Sequence, residues 1–133
     1  MRSAVLADTG PLYAAVDPHD QHHVRAQTEL TKLSQGKLEV VIAYPTLFES
    51  FSLILYRLGG PKALGWLAEI RDGATLLAPA LEDYQLAGEK LRRYRDQSIT
   101  LFDALVSVLS TRSKMPVWTY DHHFDVMRSR IWR

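Results

Sequence analysis

The feature that most constrains the fold is a long apolar segment that carries a single charged residue. Residues 98–110 read Ser-Ile-Thr-Leu-Phe-Asp-Ala-Leu-Val-Ser-Val-Leu-Ser, and Asp103 is their only acid. At about 3.6 residues per turn the apolar side chains cover most of a helix surface, which is typical of a helix packed on several sides. Thr100 and Asp103 form a capping-box pattern, which is one explanation of the acid. A functional explanation also stays open, because an ionised carboxylate taken out of water needs a cation or hydrogen-bond donors.

Predicted strands alternate with predicted helices along the chain. Short apolar or β-branched runs bounded by turn residues indicate strands, and apolar residues at helical spacing indicate helices. The predicted strands are residues 5–7, 39–43, 74–77 and 117–120, with 131–132 as a candidate edge strand; the predicted helices are residues 11–16, 22–34, 45–58, 62–71 and 81–95, followed by the apolar segment. This order predicts one domain over residues 1–133, with a three-layer α/β/α fold and a mainly parallel central sheet of four to five strands.

The composition excludes several classes of protein. With 47% apolar and 23% charged residues, the chain is neither disordered nor collagen-like. It has no Cys, which excludes a disulfide framework and a Cys-ligated zinc site. No apolar run reaches the roughly 18 residues of a membrane span, and charged residues come too early for a signal peptide. We therefore expect a cytoplasmic protein with no membrane partner.

Charge is distributed unevenly along the sequence. Residues 1–89 hold seven Lys and Arg against eleven Asp and Glu, whereas residues 90–133 hold nine against four. A basic region can attract a phosphate backbone whatever its base sequence, but solvated helix faces have the same composition. The charge distribution leaves both explanations open.

Four of the fifteen acids lie where an acid is unexpected. Asp8 and Asp121 directly follow predicted strands. Glu49 lies one turn inside an apolar helix, and Asp103 lies near the start of the apolar segment. The carboxyl ends of parallel strands, and the starts of the helices that they lead into, lie at the same edge of a sheet. We therefore expect all four carboxylates to converge at that edge.

Four carboxylates at one edge indicate a metal site. Acids brought close together repel and raise each other's pKa unless a cation lies between them. Oxygen ligands without Cys favour Mg²⁺ or Mn²⁺ over zinc, and such an ion can activate water for attack on a phosphodiester. Each acid also has a structural explanation of its own, as a turn residue, a helix cap or an acid in a first helical turn. The occurrence of all four in these positions favours the metal site.

Four short motifs resemble those of PIN domains in order and spacing, over essentially the whole chain. They are Leu6-Ala7-Asp8-Thr9 with Leu12, Pro45-Thr46-Leu47-Phe48-Glu49, Leu101-Phe102-Asp103-Ala104-Leu105, and Thr119-Tyr120-Asp121-His122-His123-Phe124. Within that family the chain is most similar to VapC-type toxins, the small ribonucleases of toxin–antitoxin pairs. The resemblance implies a PIN-like domain, a Mg²⁺- or Mn²⁺-dependent endoribonuclease activity, a homodimer, and inhibition by an antitoxin whose carboxyl-terminal segment covers the acidic pocket.

The resemblance also implies individual roles. It assigns catalysis and metal binding to four carboxylates, those of Asp8, Glu49, Asp103 and Asp121. Thr9 would support Asp8 through a hydroxyl hydrogen bond. Asp125 is an alternative to Asp121 as the fourth acid. The number of metal ions and the RNA that is cleaved stay open.

The other charged residues are assigned to the surface. Glu29 and Asp83 fall on loops or polar helix faces, and Arg112 follows the apolar segment at a distance that favours the surface over the site. His122 and His123 adjoin Asp121, and contact between one of them and RNA phosphate is one hypothesis.

Two other functions are compatible with parts of this pattern. A non-catalytic RNA-binding or antitoxin-binding module would keep the acidic pocket for structure alone. A phosphoacceptor domain has a similar length and an acid after its first strand. This chain, however, lacks the second acid expected there and has Asp121 where a Lys would follow the last strand.

Overall fold

Seven helices and four strands alternate along residues 3–133, the part of the chain that the computed structural model describes. They are β1 (Ala4–Ala7), α1 (Thr9–Val16), α2 (His23–Gln35), β2 (Glu39–Ala43), α3 (Tyr44–Leu58), α4 (Gly60–Gly73), β3 (Thr75–Leu77), α5 (Leu81–Arg93), α6 (Leu101–Ser113), β4 (Val117–Trp118) and α7 (His123–Val126). Within this range, no helix combines the length and the apolar character needed to cross a membrane.

The four strands form one parallel sheet in the order β3-β2-β1-β4. Leu6 of β1 is in register with Val41 of β2 on one side and with Val117 of β4 on the other. The candidate edge strand at 131–132 contributes a single parallel bridge, from Ile131 to Val117. The predicted α/β class and mainly parallel sheet are confirmed, with four strands.

Helices cover both faces of the sheet, which gives the expected three-layer α/β/α arrangement. Neighbouring residues of a strand point to opposite faces. Accordingly, Leu6 packs into a core with buried residues of α5, α6 and α7, whereas Val5 and Ala7 pack into a second core with residues of α1 to α4. Because both faces are covered, β1 is an almost continuous apolar run rather than an alternating one.

The last part of the chain differs most from the predicted elements. β4 has two residues instead of four, so Thr119, Tyr120 and Asp121 lie beyond the strand in irregular backbone. The short helix α7 follows, where no helix was predicted. The apolar segment forms a helix that begins at Leu101 and ends at Ser113, with Lys114 in the left-handed region at φ 56°.

Asp83 is buried, and its predicted place on a polar surface is wrong. Only 1% of the residue is exposed, and its carboxylate accepts two hydrogen bonds from Arg112, from Nε at 2.7 Å and from a terminal nitrogen at 2.8 Å. The backbone N–H of Ala80 adds a third at 2.8 Å. These contacts and the bond from Lys90 to Ser107 show that α5 and α6 pack antiparallel. Arg112, although half exposed, therefore joins two helices.

We expect Arg112→Ala to lower the free energy of unfolding by about 2 kcal/mol, because it removes charge-assisted hydrogen bonds from a buried carboxylate. The Arg112 guanidinium holds the pKa of Asp83 below its ordinary value of 3.8. This stabilisation is therefore present above pH 3.8 and is lost as the pH falls through the lower pKa of the folded state. Urea unfolding at pH 7 and at acid pH measures both effects.

The exposed Arg92, also on these helices, provides the control, because Arg92→Ala should change the free energy of unfolding by less than about 0.5 kcal/mol. Equal effects of the two substitutions would contradict a structural role for the ion pair.

Candidate active site

All four acids singled out in the sequence line one open cleft at the carboxyl edge of the sheet. The cleft has a volume of about 780 Å³. Asp8 directly follows β1, and Asp121 lies three residues beyond the end of β4. Glu49 comes from the second turn of α3 and Asp103 from the first turn of α6. Four separate segments of the chain therefore contribute one carboxylate each.

The carboxylate of Asp8 does not cap the helix that it precedes. Asp8 is the N-cap residue of α1, but its side chain makes no capping hydrogen bond. Instead it accepts a hydrogen bond of 2.9 Å from Thr119 Oγ1, and the residue is 7% exposed. Burial raises the pKa of this carboxyl from 3.8 to about 7; the charge of Asp103 adds to the increase and the bond from Thr119 opposes it.

The Thr9 hydroxyl contacts a different acid from the one expected. Its hydroxyl donates a short hydrogen bond to Glu49 and accepts one of 3.2 Å from Ser50 Oγ. The hydroxyl bond from Thr9 to Asp8 that the resemblance implied is therefore wrong. The physical reason is that Thr9 lies in the first turn of α1, which packs against α3 and so places the hydroxyl beside Glu49.

Asp103 has the position that its structural explanation predicts, and it also lies in the cleft. The Thr100 hydroxyl accepts a hydrogen bond of 3.1 Å from the backbone N–H of Asp103, which confirms Thr100 as the N-cap of α6. The carboxylate of Asp103 lines the cleft. Burial raises its pKa from 3.8 to about 6, and the charge of Asp121 contributes a further increase.

Asp121 is held by its neighbours in a turn. Its carboxylate accepts a hydrogen bond of 2.9 Å from the backbone N–H of His123, and its own N–H donates to Thr119 Oγ1 at 3.0 Å. The Thr119 hydroxyl therefore contacts both Asp8 and the Asp121 backbone. Asp125, the alternative fourth acid, is exposed, does not line the cleft and lies 3.7 Å from Arg133. The geometry favours Asp121 over Asp125.

The closest group of metal-ligand side chains was not singled out as a set from the sequence. In residues 3–133, only Asp121, His122 and His123 form a trio of His, Asp or Glu whose ligand atoms lie within 4.8 Å of one another. No three of the four cleft acids are that close. Carboxylates of like charge repel, which favours a wider spacing of the four cleft acids.

The side chains of the cleft fit a divalent metal ion that prefers oxygen. Four carboxylates with no Cys match Mg²⁺ or Mn²⁺. Burial and mutual repulsion raise the pKa of Asp8 and of Asp103, and a bound cation would relieve that repulsion. The arrangement can therefore concentrate positive charge beside a phosphodiester.

Comparison with known proteins shows a likeness of structure. No protein-family model matches the sequence, and no curated protein matches it either. VapC20 of Mycobacterium tuberculosis, a sarcin–ricin loop cleaving toxin, has a TM-score of 0.84 and 20% identity, over 97% of this chain and 98% of that chain. VapBC2 of Rickettsia felis, bound to a DNA fragment from its promoter, has a TM-score of 0.75 and 14% identity, over 98% and 97%.

A third similar structure is FitAcB of Neisseria gonorrhoeae, with a TM-score of 0.67 and 15% identity, over 97% of this chain and 96% of that chain. All three are PIN-domain toxin–antitoxin proteins. The resemblance drawn from the four motifs is thus confirmed as a likeness of fold, and the chain has the PIN-like α/β/α fold.

We expect Asp103→Asn to raise the melting temperature of the metal-free protein at pH 8 by a few degrees. A carboxyl with a raised folded-state pKa contributes stability that is fully present below its ordinary pKa of 3.8 and is lost as the pH rises through about 6. At pH 8 the ionised acid therefore destabilises the fold, and Asn removes that charge. The increase in melting temperature should be smaller at pH 5, because the Asp103 carboxyl of the folded protein is then mostly protonated. Thermal melts in EDTA at the two pH values measure it.

Asp96→Asn is the matched control, because Asp96 is exposed and does not line the cleft. It should melt like the unchanged protein at both pH values. A melting temperature for Asp103→Asn that is lower than that of the unchanged protein at pH 8 would contradict the repulsion described here.

Proposed function

We propose that this chain is a metal-dependent endoribonuclease that hydrolyses RNA phosphodiesters, and that it is the toxin of a toxin–antitoxin pair. The observation that carries the proposal is the cleft in which four separate segments place one carboxylate each. The fold supports it, because VapC20, which has the same fold, is an RNA-cleaving toxin. The reaction class follows from the donor set, since oxygen-bound divalent cations are the usual catalysts of phosphodiester hydrolysis.

The metal would be held by the carboxylates of Asp8, Glu49, Asp103 and Asp121. When bound, Mg²⁺ or Mn²⁺ supplies an activated water and neutralises charge on the phosphate. The protein's part is to hold the ligands in place before the ion arrives. Asp8 is fixed by Thr119, Glu49 by Thr9, and Asp121 by the His123 N–H. Ligands that are already oriented lose little further freedom on binding.

Protein partners are part of the proposal. Two of the three similar structures are toxin–antitoxin complexes, which supports a cognate antitoxin as a partner. On α3, Phe48 is 68% exposed, Leu55 45% and Tyr56 89%. Exposed large apolar side chains on one helix are typical of a surface that another protein covers, an antitoxin or a second copy in a homodimer. We propose the cytoplasm as the location, because a toxin that cleaves cellular RNA acts where that RNA is found.

Cleavage of RNA is the direct test. The purified chain should cut total cellular RNA at discrete positions in Mg²⁺ or Mn²⁺ and not in EDTA. Asp103→Asn should lower the rate at least about a hundredfold, because one ligand charge is lost from the cleft. Mapping the fragment ends gives the cleaved sequence and so the substrate.

The Asp96→Asn variant should cleave like the unchanged protein, which excludes an effect of the Asp-to-Asn change itself. Cleavage that persists in Asp103→Asn would identify a contaminating nuclease. If the unchanged chain cuts no RNA under any of these conditions, a non-catalytic module that binds RNA or an antitoxin becomes the better explanation.

Metal binding can be measured without activity. We expect millimolar Mn²⁺ to raise the melting temperature of the unchanged protein at pH 8, because the ion binds the folded state and relieves the carboxylate repulsion. The increase should be much smaller in Asp8→Asn and in Asp103→Asn, and unchanged in Asp96→Asn. Equal increases in all four proteins would show that the ion binds elsewhere.

A further inference from the structure

A second, smaller cavity continues from the acidic cleft. It has a volume of about 180 Å³ and shares Tyr120, Asp121 and His122 with the cleft. Arg25 and Arg133 also line it. A space with arginine side chains therefore lies beside the cleft.

Arg25 is held in this cavity by a network that joins α2 to the segment after β4. Its guanidinium lies 4.2 Å from the centre of the Tyr120 ring, within the range of a cation–π contact. Its Nε lies 3.5 Å from Glu29 Oε2. Tyr120 donates a hydrogen bond from its hydroxyl to Glu29, and Trp118 Nε1 donates another at 3.1 Å.

Glu29 is the anchor of this network, and its predicted place on a polar surface is wrong. It is 9% exposed, although α2 is otherwise mostly exposed. A buried carboxylate is costly unless it is paired, and here two hydrogen-bond donors and Arg25 pair it. Since Glu29 holds both Tyr120 and Arg25, it fixes the cation relative to the cleft.

The guanidinium of Arg25 remains able to bind an anion. Its side chain is 50% exposed, and within residues 3–133 its one ion pair is made through Nε. The two terminal nitrogens of an arginine form a fork that matches phosphate oxygens. The other arginine of the cavity, Arg133, lies 3.7 Å from Asp125 and shares its charge with that acid.

A cation near the acidic cleft would favour binding of an RNA strand there. Carboxylates repel the phosphate backbone, and contacts with Lys or Arg supply most of the affinity that does not depend on base sequence. We propose that Arg25 binds an RNA phosphate beside the one that lies in the acidic cleft, and that Glu29 and Tyr120 are positioning residues for it. This inference rests on the proposed function, because it assumes that RNA occupies the cleft.

Binding can be tested apart from cleavage. In the Asp103→Asn background and in EDTA, a fluorescein-labelled 20-nucleotide single-stranded RNA of random sequence reports affinity by anisotropy. Arg25→Ala should raise the Kd about tenfold at low salt and reduce the slope of log K against log salt by about 1, as expected for one lost phosphate contact. Arg25→Lys, which keeps the charge, should recover part of the affinity.

The matched control is Arg71→Ala. Arg71 is exposed and precedes β3, so it lies toward the amino edge of the sheet, away from the cleft. It should change the Kd less than twofold. If Arg25→Ala and Arg71→Ala have equal effects, or if the parent protein binds no RNA, the inference is overturned.

The positioning role has its own readout. Tyr120→Phe keeps the ring but removes the hydroxyl bond to Glu29, and it should raise the Kd about two- to threefold. The same substitution should add nothing in the Arg25→Ala background, because it acts through Arg25. If the effects of Tyr120→Phe and Arg25→Ala on the free energy of RNA binding are fully additive, the positioning role is contradicted.

Cleavage kinetics separate this inference from the proposed function. In the otherwise unchanged protein with Mn²⁺, Arg25→Ala should raise KM about tenfold and leave kcat within twofold, because the contact is made equally before and during the reaction. A fall in kcat with an unchanged KM would overturn the inference while the ribonuclease function stands. Absence of cleavage by the unchanged chain would contradict the function, and the binding measurements would still decide the role of Arg25.

Discussion

The cleft depends on the parallel pairing of β1 with a strand on each side. Since β2 and β4 run in the same direction as β1, the segments that leave all three strands emerge at one edge of the sheet. Asp8 leaves β1 there, α3 brings Glu49 there directly from β2, and Asp121 arrives from β4. Asp103 has a different origin, because α6 follows α5 rather than a strand. Its position depends on the antiparallel packing of these two helices. The ion pair between the buried Asp83 and the half-exposed Arg112 joins them at the other end of α6.

Much of the fold and the membership of the cleft could be predicted from the sequence, because both depend on local signals. β2 has the predicted bounds, and the four acids that follow strands or begin helices do line one cleft. The predictions failed where a side chain depends on a partner far along the chain. The partners of Asp83 and Glu29, 29 and 89 residues away, leave no periodic trace in the sequence. The charge distribution did not indicate the second cavity, since Arg25 comes from the net acidic part of the chain.

A structural explanation of one residue does not exclude a place in the cleft, because a residue that marks a helix start can also present its carboxylate to the cleft. Asp103 shows this directly: its N–H is capped by Thr100 while its carboxylate faces the cleft. Asp8 occupies an N-cap position without using its side chain as a cap. A capping pattern in the sequence therefore predicts where a helix starts. The contacts of the carboxylate depend on the residues that surround it in the fold.

The pairing of the first strand with the last has a consequence for the time at which the cleft is completed. Leu6 is in register with Val117, so most of the chain is synthesised between the two partners. Contacts between residues so distant in sequence form late in folding, since the intervening chain must first be ordered. A growing polypeptide that has not yet passed residue 117 has Asp8 without Thr119 or Asp121. Assembly of the acidic cleft is thereby delayed until nearly all of the described chain has left the ribosome.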